Sequence, residues 1–278
     1  MLFKWNYTPP APKDRQLAEE LGAKLNISPI LAQLLIQRGI TTEPAAKRFF
    51  HPQLADLINP FLMKDMDMAG RKERILVYGD YDVDGCTAVA LVYKFIQQFY
   101  SNIEYYIPDR YEEGYGVSMK GIDYAHEAGV KLIIILDCGI KAVDEIAYAK
   151  SLGIDFIICD HHMPDEVLPP AVAILNPKRK DDTYPFKHLC GCGVGFKLMQ
   201  AFAKNNGIPF SRLIPLLDMC AVSIAADIVP VTDENRILAY HGLKILNQNP
   251  SIGLKAIIDI CGLNGRELSM SDIIFKIG

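Results

Sequence analysis

The chain has 278 residues, of which half are hydrophobic and 22% charged, with a formal net charge of −4. That composition excludes a disordered or fibrous chain, and no run approaches the ~20 uncharged apolar residues of a membrane span. Seven cysteines without a CxxC pair read as reduced, buried thiols, and the opening MLFKWNYTPPAPKDRQ has no basic stretch followed by a long apolar core, so a cytoplasmic location without membrane contact is expected.

In chain order, residues 1–70 read as a helical, partly irregular N-terminal region. Residues 26–40 carry apolar side chains at helical spacing and close on Gly39. Residues 41–50 open on a Thr cap with Pro44 in the first turn. Prolines punctuate residues 51–70, which read as an irregular connection. From residue 74 onward the pattern changes. Strands are expected at 74–79, 104–108, 131–137, 155–160 and 171–177, with helices at 86–99, 118–129 and 141–153 between the first four. Further helices follow at 194–207, 211–227 (with Pro215 early in it) and 232–248. Short apolar strands alternating with helices predict an α/β fold, a parallel five-stranded sheet flanked by helices, with a helical N-terminal extension. The predicted domains are 1–70 and 71–278.

In such a sheet, ligands bind beyond the carboxyl ends of the strands. Asp80-Tyr81-Asp82-Val83-Asp84-Gly85 follows the first strand, Asp109-Arg110 with Glu112 and Glu113 the second, Asp137-Cys138-Gly139 the third, and Asp160-His161-His162 the fourth. One such Asp is a turn former or a helix cap. So many carboxylates delivered to one edge repel each other unless cations neutralise them. Carboxylates mixed with imidazole, with no thiolate requirement, suit two Mn²⁺ or Mg²⁺ ions more than a structural zinc. If the segment from Asp80 to Asp84 is extended, Asp82 and Asp84 face the same way and reach adjacent ions, with Asp137 between them. Paired ions of that kind hydrolyse phosphoesters.

Asp80 to Gly85, Pro108 to Gly116 (PDRYEEGYG), Leu136 to Gly139 (LDCG) and Asp160 to His162 (DHH), in that order, resemble the four motifs of the DHH phosphoesterases. The long second motif, Leu189 to Gly195 (LCGCGVG) and Ala225 to Pro230 (AADIVP) favour the branch of single-stranded-DNA-specific exonucleases over pyrophosphatases. The resemblance implies metal-dependent 5′-to-3′ removal of mononucleotides from single-stranded DNA, in repair and recombination, by a monomer, with a single-stranded-DNA-binding protein or a helicase as candidate partners. It implies Asp82 and Asp84 as ligands of one ion each, Asp137 as the bridge, and His161 and Asp227 on the second ion. Asp80 is a ligand or an orienting group, and Asp160 an orienting residue of the catalytic set. Arg110 and His162 contact the scissile or neighbouring phosphate. The family continues past Phe275–Gly278 into a phosphate-binding and an oligonucleotide-binding domain, so the chain reads as the catalytic core. The segment from Asp65 to Gly70 is shorter than the family's helical connection.

Plainer readings stand beside these. Asp227 follows an apolar helix, so a helix-end or turn role is the rival to its role as a ligand. Arg110 has Glu112 and Glu113 within pairing reach. Gly191 and Gly193 form either a tight turn or a phosphate cradle at a helix start. Lys178-Arg179-Lys180 reads as a solvated loop or a track for a DNA backbone. Tyr111 and Tyr115 are candidates to stack on bases, whereas Tyr105 and Tyr106 lie in a strand and are expected in the core. A small-substrate phosphoesterase and a non-catalytic DNA-binding scaffold remain as alternative functions.

Overall fold

A computed structural model describes residues 11–66 and 74–278. The chain divides into two compact units, the first ending at Asp56 and the second running from Leu57 to Gly278. The predicted division at residue 70 therefore lies too late. Ile58 donates its backbone N–H to Glu234, and Lys64 donates its own to Asp182, which ties residues 57–66 into the larger unit. The rest of the expected short segment, residues 67–70, lies outside the described residues.

The first unit holds α1 (Pro12–Leu25), α2 (Pro29–Gln37) and α3 (Glu43–Phe50). Each starts on a proline in its first turn, where a missing N–H costs nothing. Ser28 and Thr42 cap the second and third through their hydroxyls, and Gly39 ends α2 at φ +75°. Ala18, Leu21, Ala32, Leu35, Ile40 and Ala46 form its small core. The segment that opens with α1 had no periodicity marked enough to single out.

In the second unit, among the described residues, β1 (Ile75–Gly79), β2 (Ile103–Tyr106), β3 (Leu132–Leu136), β4 (Asp155–Cys159) and β5 (Ala173–Leu175) form one parallel sheet in the order β2-β1-β3-β4-β5. The period of two sorts the strand residues. Leu76, Tyr78, Ile133, Ile135, Phe156 and Ile158 share a buried cluster with Ile122 and Ala125 of α5 (Met119–Glu127) and with Ile146 and Ala149 of α6 (Val143–Ser151). The opposite face packs on α4 (Val83–Ile96) and α7 (Gly191–Asn205), and α8 (Leu217–Ala226) packs on α4. Both faces are covered, which is why the strands are continuously apolar. Behind α8 runs α9 (Asp233–Gln248), and α10 (Ile252–Ile260) follows it in the chain.

The helix expected over 211–227 is broken. Two 3₁₀ turns, Phe210–Arg212 and Ile214–Leu216, precede α8, because Pro215 has no N–H and fits only the first turn. Tyr105 is 58% exposed rather than in the core, since β2 is the edge strand and leaves its ring, which meets Tyr93 of α4, open on one side.

Candidate metal centre

β1 lies between β2 and β3. The chain leaves β1 in one direction and passes back across it to reach β3, and that reversal opens a crevice beyond the carboxyl ends of these two strands. Asp80, Asp82 and Asp84 leave β1 here, Asp137 leaves β3, and Asp160, His161 and His162 leave the adjacent β4.

The segment after β1 is not extended as expected. Asp82 caps α4, accepting the Gly85 N–H at 2.8 Å, and Asp84 already sits in the first helical turn. A capping Asp satisfies a free amide of the first turn and so starts the helix directly after the strand. Asp80 is fully buried; its Oδ1 accepts the Tyr81 N–H at 2.7 Å, and its Oδ2 is buried without a partner. Asp84 is buried and accepts three hydrogen bonds, each of 2.7 Å: Gly191 N–H, Cys192 N–H and the Ser223 hydroxyl.

That arrangement corrects the phosphate-cradle reading of Gly191 and Gly193. The Gly191 N–H is committed to Asp84 and the Gly193 N–H to Cys190 Sγ. The start of α7 does bind an anion through its dipole and free amides, but the anion is a carboxylate of this chain. Gly191 is required here for another reason: a Cβ on it would lie 2.4 Å from Asp137 Oδ1.

Asp137 takes the left-handed φ of +61°, which Asp tolerates better than most residues. Its two carboxylate oxygens are both buried without a hydrogen-bond partner. His161 Nε2 stands 3.1 Å from Asp137 Oδ1, 3.6 Å from Asp227 Oδ2 and 3.8 Å from Asp84 Oδ2, yet neither ring nitrogen makes an aligned hydrogen bond. Asp227 follows the last residue of α8 and keeps a partly exposed carboxylate. Asp160, buried, accepts the backbone N–H groups of His161, His162 and Ile140 and meets His162 Nδ1 at 2.8 Å. It orients His162.

Two sets of donors converge within 4.8 Å: Asp137 with His161 and His162, and Asp84 with His161 and Asp227. Asp80 and Asp82 stand outside both sets but act on them by charge. Burial, then the charges of Asp84 and Asp82, push Asp137 up to about 12. Burial foremost, with repulsion from other aspartates, raises Asp80 to about 6 and Asp227 to about 6. Burial also raises Asp84. Burial depresses His161, leaving a neutral imidazole with a lone pair to donate. His162 is raised by its hydrogen bond to Asp160. Burial works to raise Asp160 too, but the hydrogen bond and charge of His162 prevail and hold it low.

Buried carboxylate oxygens and imidazole nitrogens without partners are costly unless something satisfies them. Oxygen donors with one or two imidazoles suit hard divalent cations, so the residues present fit the expected ions. An open cleft of about 490 Å³ adjoins the centre, lined among others by Tyr115, Gly139, Lys141, Glu145, His162 and Met163.

Arg110 does not pair with Glu112 or Glu113. Glu112 bonds Lys120, Glu113 bonds Tyr106 and Ser118, and the exposed Arg110 guanidinium lies 5.2 Å over the Tyr81 ring. Tyr111 and Tyr115 are exposed, at 93% and 57%, and Tyr115 meets both Tyr81 and His162 edge to face. Arg179 is neither solvated nor free for DNA. It is buried and bonds Asp65, Asp181 and the Ile174 carbonyl. Sequence reasoning missed Ser223 and Asn176. Ser223 was findable, being a lone hydroxyl in an apolar helix one turn before Asp227. Asn176, which donates to the His162 carbonyl at 2.9 Å, carried no signal.

A switch-point crevice rimmed with aspartates and DHH histidines defines the class: the chain belongs to the DHH family, whose N-terminal-domain model matches residues 74–224. The relatives narrow it further. The chain is 40% identical to the single-stranded-DNA-specific exonuclease RecJ of Bacillus subtilis, over 94% of this chain and 33% of that protein. It is 34% identical to RecJ of Escherichia coli, over 95% of this chain and 48% of that protein. The chain thus spans between a third and a half of the length of these two relatives. The crystal structure of Thermus thermophilus RecJ in complex with Mn²⁺ superposes with a TM-score of 0.74 at 26% identity, covering 94% of this chain and 38% of that one. A crystal structure of exonuclease RecJ bound to manganese gives 0.69 at 30% identity, covering 81% and 57%.

Proposed function

We propose that this domain is the catalytic core of a metal-dependent exonuclease that removes 5′-mononucleotides from single-stranded DNA in the 5′-to-3′ direction, in the cytoplasm, as part of DNA repair and recombination. One observation carries the reading. Asp137 and His161 bury four donor atoms without partners, and they do so where Asp84 and Asp227 converge. Cations satisfy such a set; without them its carboxylates must take up protons. The names of the relatives, and the manganese in two of the similar structures, support single-stranded DNA as substrate and Mn²⁺ or Mg²⁺ as the ions.

Asp84, Asp137, His161 and Asp227 would hold two such ions, with Asp80 and Asp82 completing the set. Once bound, the ions would neutralise the carboxylates, acidify water and offset the charge that builds on the phosphate. The protein's own part is positioning. Gly191, Cys192 and Ser223 fix the Asp84 carboxylate by three hydrogen bonds. Asp160 holds one ring nitrogen of His162, directing the other to the crevice as a ligand or a phosphate contact. Arg110, exposed beside Tyr81, is the fork for a neighbouring phosphate. The domain acts as a monomer, and a single-stranded-DNA-binding protein or a helicase is its proposed partner.

The test compares 5′-labelled and 3′-labelled single-stranded DNA, duplex DNA, a dinucleotide and pyrophosphate, with Mn²⁺ or with chelator. The expected result is Mn²⁺-dependent release of labelled mononucleotide from the 5′-labelled single strand first. Turnover of pyrophosphate or the dinucleotide alone would establish the small-substrate reading instead. No turnover at all, with fewer than one bound ion per chain, would establish the scaffold.

A further inference from the structure

The rim of the metal centre holds an aliphatic residue in a backbone conformation that its side chain disfavours. Ile228 directly follows Asp227, sits at φ +55° and is 78% exposed. A β-branched residue at positive φ is a true outlier, because its Cβ crowds the backbone carbonyl. Helices commonly end on a left-handed residue just here, but that residue is ordinarily Gly or Asn. Gly would meet the backbone requirement without strain and without showing water an apolar surface. Fold stability therefore does not account for isoleucine at this position, and strained residues gather where they serve a site.

Position supplies the rest. The Asp227 carboxylate one residue earlier lies 3.6 Å from His161 Nε2, so Ile228 is the chain neighbour of a group that belongs to the centre. Val231, three residues further on, is also partly exposed, at 39%. For an aliphatic group beside a site that reacts with phosphate, the largest apolar surface of the substrate is the face of a nucleobase. We infer that Ile228 packs against a nucleobase next to the scissile phosphate and so places the strand in the centre. This rests on the exonuclease reading above.

The experiment uses the whole chain with Mn²⁺, and compares single-stranded DNA bearing normal terminal nucleotides with the same strand made abasic there. Ile228→Gly and Ile228→Asn both tolerate the left-handed backbone, so they remove the side chain and keep the turn. Wild type is expected to prefer the base-bearing strand by roughly five- to tenfold in kcat/KM, the order of a single base contact. Ile228→Gly is expected to lose that preference through a KM raised by a similar factor, with kcat close to wild type and Tm equal or higher. If Ile228→Gly keeps both the preference and the KM, the side chain covers something other than a base and the inference falls alone. If wild type cleaves neither strand, the exonuclease reading falls and takes this inference with it.

Discussion

Asp137 concentrates the electrostatics of the centre in one residue. It is left-handed, buried, unpartnered and surrounded by Asp84, Asp82, Asp160 and Asp227. Asp137→Asn keeps the shape and removes the charge. Turnover should fall by more than the roughly 10–100-fold that loss of an outer-sphere partner brings, while Tm in chelator stays level or rises, because Asn is buried without the proton uptake that burying Asp137 costs. Near-normal turnover would show that Asp137 holds no ion. The proton balance gives a second expectation. Asp137 is held up to about 12, and Asp80 and Asp227 near 6, by burial first and then by neighbouring carboxylates. A cation binds the deprotonated form and competes with the proton. Mn²⁺ affinity should therefore weaken as pH falls through about 6, and binding near neutrality should release protons. Calorimetry in two buffers of different ionisation enthalpy measures that release; identical heats would contradict it.

The α7 helix decides whether these residues meet. Its first amides grip Asp84, which belongs to α4, and its Gly191 lies flat against Asp137, which follows β3. One helix start therefore sets the spacing of two carboxylates more than fifty residues apart in the chain. Gly191→Ala would bring a Cβ to 2.4 Å from Asp137 Oδ1 and 2.6 Å from its Cβ, so that one side must shift. The expected outcome is a loss of Mn²⁺ affinity of roughly tenfold or more, with helix content by circular dichroism unchanged. Unaltered metal titration would mean that the contact has slack. Ser223 provides the same kind of support from α8, bonding Asp84 one turn before Asp227.

At the scale of the larger unit, a buried ion pair joins distant segments. Lys197 of α7 and Glu234 of α9 are both fully buried and meet at 2.9 Å. Glu234 also accepts the Ile58 N–H and the Tyr184 hydroxyl, and Lys197 donates to the Ile58 carbonyl. Such a pair adds little net stability against an apolar equivalent, but breaking it strands a buried charge. Glu234→Ala should cost about 3–5 kcal/mol of unfolding free energy, read by urea denaturation. A cost below about 1 kcal/mol would mean that water reaches Lys197. Neither residue belongs to the convergent donor sets, so Mn²⁺ should raise Tm of the wild type and of a folded Glu234 variant alike through mass action.

The local order of this protein is written in its sequence. Apolar runs of strand length, the Thr cap that opens residues 41–50, and the carboxylates at strand ends follow from pairwise chemistry within a few residues. They were sufficient for the parallel sheet, its five strands and the aspartate–histidine rim. Folding in three dimensions decided what depends on residues far apart. It determined that α7 spends its free amides on Asp84 rather than on a phosphate, that Arg179 is an internal anchor, and that Tyr105 faces solvent. It also determined that Asp80 and Asp82 stand back from the two convergent donor sets. Hydrogen-bond partners and burial belong to the packed assembly of elements, and no window of neighbouring residues contains them.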